Sequence, residues 1–178
     1  MTTHVAFLRG INLGKNKRIA MADLRALAER LGLDDARTHL QSGNLLFTST
    51  AAEAALVAAL ERGIADDLGH DIRVMVRTTR QLERLVDDDP MGPAKSDGKL
   101  HHVAFLSKEP TAAAARALDP ARYVPDEVRI VGRDVHLWYP NGLQGSKLSN
   151  ADLERRLGVA ATTRNWNTVT KVLELARG

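Results

Sequence analysis

The chain has 178 residues, 44% hydrophobic and 26% charged, ordinary values for a globular protein of one domain or two small ones. It has no cysteine, which excludes disulfides, thiolate metal centres and cysteine nucleophiles and suits a reducing compartment. Formal net charge is +3, yet residues 1–20 carry +4 through Arg9, Lys15, Lys17 and Arg18 while the remainder carries −1. A basic excess confined to one segment indicates a local anion site more than a broad nucleic-acid surface.

In chain order, the apolar run His4–Arg9 predicts a strand, and Ile11–Arg18 (INLGKNKR) a loop rich in Gly and Asn. Met21, Leu24, Leu27, Ala28 and Leu31 recur at helical spacing and Gly32 is a stop signal. Arg37–Gln41 and Asn44–Thr48 predict short strands around a tight Ser42-Gly43 hairpin. Thr50 and Glu53 have capping-box spacing before a helix striped by Leu56, Leu60, Ile64 and Leu68, and Ile72–Arg77 alternates as a strand. The order strand, helix, strand, strand, helix, strand predicts a ferredoxin-like unit with its first and third strands central and parallel.

Thr78 and Gln81 open a further helix, which Asp87–Pro90 ends. Residues 90–100, with two Pro and two Gly in PMGPAKSDGK, read as a linker between a subdomain at 1–89 and a second at 101–178. There His101–Ser107 reads as a strand, Thr111–Leu118 as a helix, and Glu127–Val131 with Asp134–Tyr139 as a hairpin. A second Gly-rich basic loop, a helix at Ser149–Leu157 and a last helix from Trp166 follow. The fold class expected is α+β, a ferredoxin-like first half and a divergent copy that lacks a clear last strand.

Four segments could carry chemistry. Arg9–Arg18 leaves a strand and precedes a helix, and its glycines and exposed amides suit an anion nest, although it is neither a Walker loop nor GxGxxG. Tyr139–Lys147 (YPNGLQGSK) occupies the corresponding place in the second half, with Asn141, Ser146 and Lys147 as donors. Thr162–Thr168 lies at the entrance of the last helix, where Arg164 and Asn165 could grip an anion, against plain capping by Thr163 or Asn165 with Trp166 in the core. Gln41–Asn44 is expected at the opposite end of its unit from Gly10–Lys15, as a structural turn.

No metal site is expected. His101 and His102 are neighbours on a strand and point to opposite faces, the other histidines are scattered, and Asp87–Asp89 reads as a solvated helix end. No nucleophile elbow is present, and no general base can be assigned, so the residues name no reaction.

Taken together, RGIN with Gly14 (Arg9–Gly14), Met21 with Leu24, SGN with Phe47, YPNG with Ser146-Lys147, and TRNWNT with Lys171 resemble a bacterial family known as domain of unknown function 1697. The resemblance spans nearly the whole chain. It implies a two-part α+β fold related to a ferredoxin-like duplication and brings no activity, substrate, cofactor or catalytic residue.

The leading expectation is a site for a phosphorylated or otherwise anionic small ligand at the junction of the halves. Arg9, Asn12 and Lys15 would serve it from one side and Asn141, Ser146, Lys147, Arg164 and Asn165 from the other. Two alternatives compete with it. One is single-stranded nucleic-acid binding over the first sheet, which needs Phe7 or Phe47 exposed. The other is a protein-interaction module with a large apolar patch. A monomeric, cytoplasmic protein is expected, with no cofactor; the N-terminus lacks signal-peptide character and no apolar run approaches the ~20 residues that span a bilayer.

Overall fold

The pentapeptide His-Val-Ala-Phe-Leu occurs twice, at 4–8 and 102–106, and each copy forms an inner strand of a four-stranded sheet. The computed structural model describes every residue, Met1–Gly178. The chain forms two units, one of Met1–Glu83 with Val172–Gly178 and one of Arg84–Lys171. Residues 90–100, expected as a linker, lie inside the second unit and include a short 3-10 turn at Pro93–Lys95.

In the first unit the order is β1 (Thr2–Leu8), α1 (Met21–Arg30), β2 (Asp34–His39), β3 (Asn44–Ser49), α2 (Glu53–Leu68), β4 (Val74–Thr78) and α3 (Thr79–Asp87), the last running into the second unit. The sheet order is β2-β3-β1-β4. β1 and β3 are central as expected but antiparallel, with Thr2 opposite Ser49 and Phe7 opposite Asn44. The reason is topological: β3 is the hairpin partner of β2 and inserts beside β1, so it must run against both.

Alternation along β1 sends Ala6 and Leu8 to a core with Leu45, Phe47, Val74 and Val76, closed by Leu24 and Leu27 of α1 and Leu56, Leu60 and Ile64 of α2. Burying a Leu or Phe side chain of this kind contributes about 1.5–3 kcal/mol. α2 begins after Ala52, which caps nothing, so the expected Thr50–Glu53 box does not form. A reciprocal cap forms instead at the head of α3. Thr78 N–H donates to Gln81 Oε1 at 2.8 Å and Gln81 N–H to Thr78 Oγ1 at 3.2 Å.

The second unit repeats the plan with β5 (His101–Leu106), α4 (Ala112–Ala117), β6 (Glu127–Val131), β7 (Asp134–Trp138), α5 (Asn150–Leu157), β8 (Ala161–Asn165) and the start of α6 (Trp166–Arg177). Its sheet order, β6-β7-β5-β8, is the same arrangement. The last strand expected to be missing is therefore present as β8. Joint bonds recur as well. Leu8 N–H donates to Gly43 O and Leu106 N–H to Arg133 O, both at 2.9 Å, while Arg9 pairs with Arg73 and Ser107 with Ala160.

Candidate functional site

The Arg9–Arg18 loop is closed by one side chain. Asn12 donates from Nδ2 to Ile19 O at 2.9 Å and to Gln41 O at 2.7 Å, and its Oδ1 accepts from Ile19 N–H at 2.9 Å. Its backbone N–H donates to Lys17 O at 3.0 Å. Asn12 sits at φ 55°, a conformation that Asn tolerates better than most residues. The amide is thus spent on holding the loop, which leaves Lys15, Lys17 and Arg18 exposed on it and Arg9 half-buried at its start.

Asn12, Gly14, Arg18, Ile19, Ala20 and Gln41 line a hollow of about 410 Å³ there. Ala20 precedes α1 without a capping oxygen, so the positive end of that helix opens toward the hollow. The presence of Gln41 corrects the expected placement of the Gln41–Asn44 turn. Because β3 runs against β1, its first residues stand beside the end of β1, and the turn adjoins the basic loop.

In the second unit Lys147 lines a pocket of about 420 Å³ with Arg122, Tyr123, Asp152, Arg155 and Arg156. Asp152, in the first turn of α5, is its hub. It accepts from Tyr123 Oη at 2.6 Å, from Arg156 Nε at 3.0 Å, and from Arg155. Burial works against the Asp152 charge, yet the Tyr123 and arginine bonds hold its carboxyl below the usual range. Burial, with Asp152 beside it, pushes the Tyr123 phenol up to about 12, so it stays a donor at neutral pH. Four cations face one carboxylate.

The other sequence candidates in this unit have structural duties. Ser146 donates to Asp126 Oδ2 at 2.5 Å and accepts from Leu148 N–H, bracing the loop. Asn141 is exposed on the same loop. Arg164 lies on β8, not in a helix entrance, and is buried, with Nη1 donating to Thr162 Oγ1 and Thr163 O at 2.9 Å. Asn165 Oδ1 accepts from Thr168 N–H at 2.9 Å and caps α6. Of the predicted residues in this unit, Lys147 alone lines the cationic pocket. Arg122 was missed because it sits on a separate short turn, and Arg155 and Arg156 because they read as the solvated face of a helix.

A cavity of about 700 Å³ opens at the edge strand β2, with Glu29, Asp34, Asp35, Arg37 and Arg177 among its lining. Its charge is mixed and none of the predicted residues reaches it. Phe7 and Phe47 are buried at 0% and 1% exposure, so neither offers a base-stacking platform. No helix is long and apolar enough to cross a membrane.

A cluster that no sequence motif announced lies on the face of the second sheet shared by His101, Val103 and Phe105. His136 on β7 stands opposite Val103 and projects to this face. His101 Nε2 is 3.3 Å from His136 Nδ1 and 3.8 Å from Asp89 Oδ1, and His136 Nδ1 is 3.3 Å from Asp89 Oδ1. Trp166 stacks on His101 with ring centroids 4.2 Å apart. Burial pushes His136 down to about 4 and lowers His101 too, against the pull of Asp89, so both imidazoles are neutral at pH 7. A hint was available: both histidines interrupt apolar strand runs, HHVAFL and VHLW.

No curated protein matches the chain. Among solved structures, the conserved bacterial protein SP0830 from Streptococcus pneumoniae is similar over 98% of both chains, at 22% identity and a TM-score of 0.68. At that identity the likeness concerns the fold, a two-part mixture of helices and two four-stranded antiparallel sheets. The family described as protein of unknown function (DUF1697) matches residues 1–136, and the chain belongs to that family.

Proposed function

We propose that this protein binds an anionic small molecule, one bearing phosphate or carboxylate groups, at the pocket formed by Arg122, Lys147, Arg155 and Arg156. The single observation that supports this reading is the excess of cations in a concave space of about 420 Å³. A solvated basic face has no need of a phenol and a carboxylate that hold two guanidiniums in place. Asp152 does this for Arg155 and Arg156, and Tyr123 holds Asp152. An incoming phosphate would draw the arginines into paired, charge-assisted bonds, with Lys147 as a point charge. The Arg9–Arg18 loop, closed by the Asn12 clasp and carrying Arg9, Lys15 and Arg18, would offer a second cationic site within its own unit. No reaction is part of the proposal.

Thermal melting of the full chain against inorganic pyrophosphate, nucleotides and sugar phosphates tests it, since a ligand that binds the native state must raise the melting temperature. A dose-dependent rise that weakens about tenfold or more in Arg122→Ala/Lys147→Ala is expected. An unchanged melting temperature across the panel overturns the reading.

A further inference from the structure

We propose that Asp89, His101 and His136 form a binding site for one divalent transition-metal ion of the zinc type. The three ligand atoms, His101 Nε2, His136 Nδ1 and Asp89 Oδ1, form a triangle with edges of 3.3, 3.3 and 3.8 Å. Nitrogen and oxygen ligands lie about 2.0–2.2 Å from zinc, so two ligands of a tetrahedral ion are separated by about 3.4 Å. The triangle has that size without any movement. Two imidazoles and one carboxylate suit zinc, cobalt or iron better than the all-oxygen demands of calcium or magnesium.

Hydrogen bonding alone satisfies this cluster poorly. A charge-assisted bond to a carboxylate runs to about 2.7–2.9 Å, shorter than either histidine contact with Asp89. A proton on His136 Nδ1 can serve Asp89 or His101, but not both, and a proton on His101 Nε2 reaches Asp89 only across 3.8 Å, so hydrogen bonds leave one of the three atoms poorly served. One cation satisfies all three atoms together. The ligands are also held in place from outside. Met91 N–H donates to Asp89 Oδ1 at 2.9 Å, and Trp166 fixes the plane of the His101 ring. His101 Nδ1 has no partner, so the indole stack takes the orienting role that an outer acceptor usually plays. Both histidines are buried while the Asp89 side chain is 19% exposed, which gives an ion its way in. Three protein ligands leave a fourth position for water or another small ligand. This inference is independent of the anion pocket and uses none of its residues.

The test is titration of the intact, chelator-treated chain with Zn²⁺ and separately with Co²⁺. One equivalent should bind, raise the melting temperature, and with Co²⁺ give the visible absorption of a low-coordinate ion together with quenching of tryptophan emission. Asp89→Asn and His136→Gln should each weaken binding by well over a hundredfold, beyond the roughly 10–100-fold range usual for outer-shell changes, whereas His70→Asn should leave it unchanged. Asp89→Asn keeps shape at a partly exposed position, and its circular dichroism verifies folding. An intact chain that gives neither a melting shift nor a cobalt spectrum overturns the proposal, and so does unaltered affinity in a folded Asp89→Asn.

Discussion

Arg77 and Arg164 hold the same place in the two sheets. Each stands directly across from the valine of an HVAFL strand, Val5 for Arg77 and Val103 for Arg164, and each is buried. Each also donates from Nη1 to the carbonyl of the residue before it, at 2.9 Å. Burial lowers the Arg164 guanidinium to about 10, so it remains charged at neutral pH. Arg77→Ala and Arg164→Ala should each lower unfolding free energy by about 2–4 kcal/mol in urea titrations, through lost packing of the stem and lost bonds. Arg164→Lys should also destabilise, because an ammonium on a differently shaped stem does not fill the buried guanidinium's place and keep both Nη1 bonds, to Thr162 and Thr163. A neutral effect of Arg164→Ala would show that the guanidinium is dispensable.

Tyr123→Phe removes the bond of 2.6 Å to Asp152 and should cost about 1–2 kcal/mol of stability. Asp152→Asn removes the carboxylate that holds Arg155 and Arg156 in place. Pyrophosphate should then bind several-fold more weakly, on the order of 1 kcal/mol, measured by calorimetry. Tighter binding in Asp152→Asn would make the carboxylate a competitor of the anion and not a positioning element.

Gly43→Ala should destabilise the first unit by about 1–3 kcal/mol on thermal or urea unfolding. The glycine sits at φ +81°, and an added Cβ would lie 2.6 Å from Ile11 Cδ1 and 3.0 Å from Leu8 Cβ. The same change displaces the turn whose Gln41 carbonyl receives Asn12, so protease sensitivity within Arg9–Arg18 should rise with it.

His4 supplies an acid-sensitive share of stability. It is buried against Phe47, its Nδ1 has no partner, and burial lowers its pKa from 6.5 despite the backbone of Thr2 and the charge of Glu53. The unfolded chain therefore takes up the proton first. This share is intact above pH 6.5 and declines as the pH falls from there toward the lowered folded value. His4→Phe should flatten the stability curve in that window, measured by urea midpoints across pH; an unaltered slope would assign the loss elsewhere.

Much of the scaffold was legible because periodicity follows burial. The stripe on α2 and the run in β1 read correctly for that reason. β8 was hidden because Ala-Thr-Thr-Arg-Asn has no apolar alternation: its buried side chain at position 164 is an arginine, which reads as a loop residue. The Gln41–Asn44 turn was misplaced by a single error of strand direction, since a parallel β3 would start at the far end of β1. Lys147 could be picked out because it follows a Gly-rich loop, whereas Arg155 and Arg156 look like any polar helix face until Asp152 and Tyr123 are seen to hold them. Asp89, His101 and His136 come from three elements, and only the strand register brings them within reach of one another.

The last turn of α6 carries a consequence for biosynthesis. Val172–Gly178 belongs to the first unit: Arg37 donates to Leu175 O at 3.1 Å, and Arg177 pairs with Glu83 at 3.0 Å. On the ribosome, residues 1–83 emerge long before the segment that completes them, and an entire second sheet is translated in the interval. The first unit stays incomplete until residues 172–178 are made, so truncation just after Lys171 would strike the unit translated earlier and spare the one just finished.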